Sequence, residues 1–207
     1  MDIRNTIQRL LGHAPGPEDG VAESELNQAS LRLGMPLPCS LLEFYRLAGN
    51  SPMLMSSFNS FARPEELEID DGKIIFLEEN QGVCHWGFAG GPDSPQVFMR
   101  PAESRDWHPE APLDEFLPVV LYYQCAQGGY EFGGTVGLDD DSLRERIKKD
   151  WENVVDHNGF VAAWKPDCLL WHLLDDEGEI VDDLIYFSAR TRQAYDAHES
   201  EYDLAEL

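Results

Sequence analysis

The sequence predicts an α+β fold: a single domain in which an antiparallel or mixed β-sheet is flanked by several helices. Three observations lead there. Helical periodicity dominates the first fifty residues, short β-branched and aromatic runs separated by Gly, Pro and Asp follow from about residue 60, and no internal repeat interrupts this order. With 207 residues, 43% of them hydrophobic and 11% aromatic, the chain can bury roughly 70% of its unfolded surface, which excludes a wholly disordered acidic protein. The expected organisation is an N-terminal helix and loop over 1–22, the α+β domain over 23–190, and a polar C-terminal helix or tail over 191–207.

The elements follow in chain order. Ile3, Ile7, Leu10 and Leu11 share one helical face that Gly12 ends, and Pro15, Gly16, Pro17 and Gly20 mark a loop. A second helix over Glu23 to Leu33 turns Leu26, Ala29 and Leu33 inward and stops at Gly34, before an extended link set by Pro36 and Pro38. Ser40 and Glu43 have the spacing of a capping box, opening a helix with Leu41, Leu42, Phe44, Tyr45, Leu47 and Ala48 that Gly49-Asn50 closes. Asp70-Asp71-Gly72 is a hairpin turn leading into Lys73 to Leu77, and Val83–Phe88 and Gln96–Met99 read as further strands. Leu113 to Ala126 reads as a helix with Pro118 tolerated in its first turn. Asp139, Asp140, Asp141 and Ser142 form the cap of another helix, with Leu143, Ile147, Trp151 and Val154 in register. Cys168–Leu174 and Leu184–Ala189 are strands around the turn Asp175-Asp176-Glu177-Gly178.

Charge is the most informative property. Of 39 acidic residues 33 lie after position 60, against 11 of 15 basic ones, so most of the net charge of −24 belongs to the later part of the chain. Such a surface can select basic partners and repel nucleic acid and anionic lipid, or it can serve solubility alone. No window approaches the 18 apolar residues of a membrane span, and the start lacks a cationic stretch leading into an apolar core, so a cytoplasmic location is expected. Cys39, Cys84, Cys125 and Cys168 stand far apart and read as reduced core residues, with two disulfides in an exported protein as the alternative.

The patterns of catalysis do not assemble, and no enzyme, cofactor or metal is expected. Gly128–Gly134 lacks the Lys-Ser/Thr ending of a phosphate loop and the spacing of a dinucleotide loop, and reads as a loop or bent strand. Cys84-His85 would make a thiol–base pair only if neighbouring strand residues met, and they point to opposite faces. His13, His85, His108, His157, His172 and His198 show no compact ligand spacing, and Asp139–Asp141 lack the alternating oxygens of a calcium loop.

Three pieces in one order carry a family resemblance: Leu33-Gly34-x-Pro36-Leu37-Pro38-x-x-Leu41-x-x-Phe44-Tyr45-x-x-x-Gly49-Asn50, then Glu78-Glu79-Asn80-Gln81-Gly82-Val83-x-x-Trp86-Gly87, then Asp93-x-Pro95-x-Val97. Over roughly residues 23–137 they resemble the SUKH superfamily, which joins bacterial toxin-immunity proteins to a fungal regulator of cell-wall assembly. The resemblance implies a domain that binds and neutralises a protein toxin, often a nuclease; together with the acidic charge and the absence of catalytic motifs it gives the expectation of a non-enzymatic protein binder with a basic toxin as partner and no nucleic acid or membrane. An intracellular adaptor of the same fold, binding a host protein or peptide, is the alternative. Asp70, Asp71, Glu78, Glu79, Gln81 and Trp86 are the candidate partner-binding residues, since they combine carboxylates, an amide and a large aromatic in one stretch. The competing structural reading makes Trp86 core and Asp70, Asp71, Asn80 and Gln81 turn formers.

Overall fold

A computed structural model describes residues 2–90, 94–137 and 141–207, and its class is α+β as expected. The strands are divided between two antiparallel sheets, one in each of two compact units, Met1–Gln124 and Cys125–Leu207. The composition change near residue 60 falls inside the first unit.

In the first unit, α1 (Ile3–Leu11), α2 (Glu23–Leu33) and α3 (Cys39–Ala48) end at the predicted glycines and bury the predicted apolar stripes. The capping box is not formed. The helix starts two residues earlier, at Cys39 with Pro38 rather than Ser40 as its N-cap, so Ser40 is already helical; its hydroxyl is buried without a partner, and Glu43 instead pairs with Arg4 at 3.1 Å. A short α4 (Pro52–Met55) leads to β1 (Ser60–Phe61), β2 (Glu68–Asp70), β3 (Lys73–Glu78), β4 (Cys84–Ala89), β5 (Gln96–Pro101) and β6 (His108–Pro112). The sheet runs β1-β3-β4-β5-β6, with β2 also on β3. The β2–β3 turn is the predicted hairpin, with Asp71 and Gly72 both at positive φ, 48° and 74°.

Across one face of this sheet lies α5 (Leu113–Gln124), whose Phe116 ring packs on Phe76 and Trp86. The helix begins at Leu113 as expected, which makes Pro118 its sixth residue, in the second turn rather than the first; it is buried there, in an apolar stripe with Leu117 and Leu121. Gln124 is fully buried and fully used. Its side-chain carbonyl accepts from the Asn59 amide at 2.7 Å, and its NH2 donates to the Asn59 and Leu54 carbonyls at 2.6 and 3.3 Å.

The second unit opens with a π-helical stretch, Cys125–Gly129, and β7 (Phe132–Gly137). Then come α6 (Asp141–Asp150), β8 (Glu152–His157), β9 (Phe160–Lys165), β10 (Cys168–Leu173), β11 (Leu184–Ala189), α7 (Arg192–Tyr202) and β12 (Ala205–Glu206). Strand order is β12-β7-β11-β10-β9-β8. The glycine-rich segment is therefore partly strand. A Cβ at Gly134 would stand 3.1 Å from both the Ala205 carbonyl and the Tyr195 hydroxyl, so glycine lets β12 and α7 close on β7. The core of this unit joins Trp151, Leu170, Ile185, Phe187, Tyr195, Tyr202 and Leu204.

The helix predicted to reach Val154 ends earlier. Trp151 lies just past α6 and Val154 is in β8, because a buried residue every three or four positions fits a helix and a bulged strand equally well. Of the cap predicted over Asp139 to Ser142, Asp139 and Asp140 lie outside the described residues, and Asp141 and Ser142 are the first two positions of α6. All four cysteines are free thiols, but only Cys125 and Cys168 are core; Cys39 is exposed at the start of α3 and Cys84 is half-buried. Among the described residues no helix is long and apolar enough to cross a membrane.

Candidate functional site

Strand alternation sorts the first sheet into two faces. Register pairs Phe88 with Ile74 and Val97, residues that are all buried, and Trp86 with Leu77 and Met99 on the same side, towards Phe116. The intervening residues therefore share the opposite face: Asp70 and Glu68 from β2, Lys73 and Glu78 from β3, His85 from β4, and Phe98 and Arg100 from β5. Trp107, in the segment just before β6, lies over them.

These side chains form one connected cluster. The Arg100 guanidinium donates through Nε to His85 Nε2 at 2.9 Å and pairs through its terminal nitrogen with the Asp70 carboxylate. It also lies 4.6 Å from the Trp107 ring centre, while the Lys73 ammonium stands 4.8 Å from the rings of both Trp107 and Phe98. His85 meets the Trp107 ring edge-on at 5.5 Å. Because His85 Nε2 accepts a hydrogen bond, the imidazole is neutral with its proton on Nδ1. Burial, and then the adjacent Arg100 charge, hold its pKa below the usual histidine value, against the opposing pull of Asp70, Glu78 and Glu68. Arg100 is more enclosed than its carboxylate partner, its side chain 15% exposed against 47% for Asp70.

The six predicted residues are only partly brought together. Asp70 and Glu78 belong to this face, but Asp70 is committed to Arg100. Asp71 occupies the positive-φ turn position. Glu79 organises the next turn, its carboxylate accepting from the Gln81 amide at 2.7 Å, so Glu79 and Gln81 are turn-forming partners. Trp86 is on the opposite face, packed against Phe116 and half-buried rather than fully core. The sequence reading missed Lys73, Phe98, Arg100 and Trp107. Alternation within Gln96–Pro101 already puts Phe98 and Arg100 on one face, but nothing local ties Trp107 to them.

Cys84 and His85 face opposite ways, as neighbouring strand residues do: Cys84 lies on the Trp86 side, while His85 is held by Arg100. Burial, Glu79 and Glu110 raise the Cys84 pKa, which keeps the thiol protonated. Among the described residues no three His, Cys, Asp or Glu side chains lie close enough to hold a metal ion. No family model, no curated protein and no solved structure matches this chain.

Proposed function

We propose that the chain is a non-enzymatic, acidic protein-binding domain of the cytoplasm, and that it serves as an immunity protein neutralising a basic, nuclease-type toxin. The observation that carries the binding role is the face built by Asp70, Lys73, His85, Phe98, Arg100 and Trp107. Trp and Arg are the residue types in which interface energy concentrates, and here they are preordered by stacking and ion pairing, so little side-chain freedom remains to be lost on association. The basic partner is supported by the net charge: residues 1–124 hold 19 acidic and 8 basic residues, and residues 125–207 hold 20 and 7. The toxin role rests on the SUKH resemblance together with that charge.

One observation favours a second reading, an intracellular adaptor recognising a host protein or peptide. Arg100 already neutralises Asp70, so the face presents nearly balanced charge and offers aromatic surface in its place. The test is co-purification with the product of a toxin gene encoded beside this one. Trp107→Ala should weaken capture by roughly 30-fold or more, a loss of at least about 2 kcal/mol, and capture should weaken as salt rises. Replacing Glu68 and Glu78 by Gln, which leaves the Asp70–Arg100 pair and the Glu79 turn intact, separates the readings, since toxin binding should weaken and recognition of an apolar peptide should barely change. Absence of any adjacent toxin gene and of neutralisation would sink the immunity role.

A further inference from the structure

The second unit contains a cleft of about 440 Å³ between α6 and the helix-covered face of its sheet. That volume falls within the range of small-molecule sites. Its walls are apolar: Ile147 from α6, Trp151 just beyond it, and Val161, Leu170 and Ile185 from three successive strands. Its polar groups are few. Arg144 and Lys148, one turn apart on α6, stand on one side; His172, Asn153 and Asp156 stand on the sheet.

The sign of the charge is unexpected here. Residues 125–207 carry net −13, with seven basic side chains in all, yet two of those seven line this cleft beside a single carboxylate. Lys148 is shared with Glu145 on the exposed side of α6 at 3.0 Å, whereas Arg144 makes no ion pair among the described residues. His172 lies on the same strand face as Leu170, more than half enclosed, and burial with the nearby Arg144 charge favours its neutral form. The cleft thus offers a guanidinium for an anion and a half-open, mainly apolar chamber for what the anion is attached to.

We infer that this cleft binds a small aliphatic carboxylate, its head group on the Arg144 guanidinium with Lys148 and Asn153 alongside, and its tail against Ile147, Trp151, Leu170 and Ile185. Guanidinium suits a carboxylate because two parallel N–H donors match its two oxygens. Asp156 disfavours a doubly charged head group, which selects a monocarboxylate over a phosphate monoester.

Isothermal titration of the full chain with octanoate, 1-octanol and octyl phosphate tests this. Octanoate should bind saturably at one site, with 1-octanol and octyl phosphate each at least about tenfold weaker. Arg144→Gln, on a half-exposed position that needs no repacking, should weaken octanoate about tenfold or more, and Arg105→Gln in the other unit should leave it unchanged. Equal binding of octanoate and 1-octanol, tighter binding of octyl phosphate, undiminished binding by a folded Arg144→Gln protein, or no saturable octanoate binding would each overturn the assignment.

Discussion

The two sheets treat charge in opposite ways. On the outer face of the first, charged side chains lie on the strands themselves, and they are held there by one another: Arg100 on Asp70 and His85, Lys73 over two aromatic rings. In the second unit α6 and α7 cover one sheet face with an aromatic and aliphatic core, and six acidic residues gather in one connection between strands. Asp175, Asp176, Glu177, Glu179, Asp182 and Asp183 all fall between β10 and β11, and Asp182 and Asp183 take positive φ there. Acidity therefore marks different things in the two units. Asp70, Glu68 and Glu78 of the first belong to an organised strand face, while these six of the second are exposed residues of a single connection between buried strands. Counting acidic residues along the chain does not distinguish these cases, because a turn and a strand face contribute equally to net charge.

The contrast is sharpest in packing. Phe187 is fully buried and touches Trp151, Tyr195 and His198, whereas Phe98 is half-buried under the Lys73 ammonium. Phe187→Ala should cost about 3–5 kcal/mol of unfolding free energy, and Phe98→Ala no more than about 1–2 kcal/mol, measured by urea denaturation. Equal costs would show that the first sheet's outer face is core rather than surface. A smaller effect tests the ion pair. Asp70→Asn removes the Arg100 carboxylate partner at a half-exposed position, and should cost about 1 kcal/mol or less, with the near-ultraviolet dichroism of Trp107 changing as Arg100 is released.

The smallest effect is one of pH. His85 and His172 both have folded pKa values below the usual histidine value of about 6.5, chiefly through burial. The unfolded chain then takes up protons first as pH falls below about 6.5, so stability should decline on acidification and level off below the folded pKa values. His85→Asn and His172→Asn should each flatten part of that decline in thermal melts between pH 7 and pH 5. A wild-type profile without slope in that interval would contradict the neutral, enclosed state of both rings.

Much of the first unit was legible because its signals are local. Periodicity and terminal glycines located three helices almost to the residue, and Asp71-Gly72 located the hairpin. Two strands of the second unit, β8 and β9, went unread although Asn158-Gly159 between them is a strong hairpin signal; both residues take positive φ, 48° and 78°. The apolar spacing through Trp151 and Val154 suggested a continuing helix and masked that turn. The capping box failed for another local reason: Pro38, at φ −58° and ψ 146°, itself takes the extended N-cap place, so the helix begins before Ser40 can act as its cap.

What the sequence determined alone was the α+β class, the ends of the early helices and the excess of negative charge, since each depends on neighbours within a few positions. What only the tertiary structure decided was which side chains meet. Trp86 and Glu79 stand near Glu78 in sequence, yet one turns towards Phe116 and the other closes a turn, while Lys73, Arg100 and Trp107 converge from three separate segments. The physical reason is the two-residue period of a strand: one step along the chain reverses the face, and only the pairing of strands brings distant residues of the same face together.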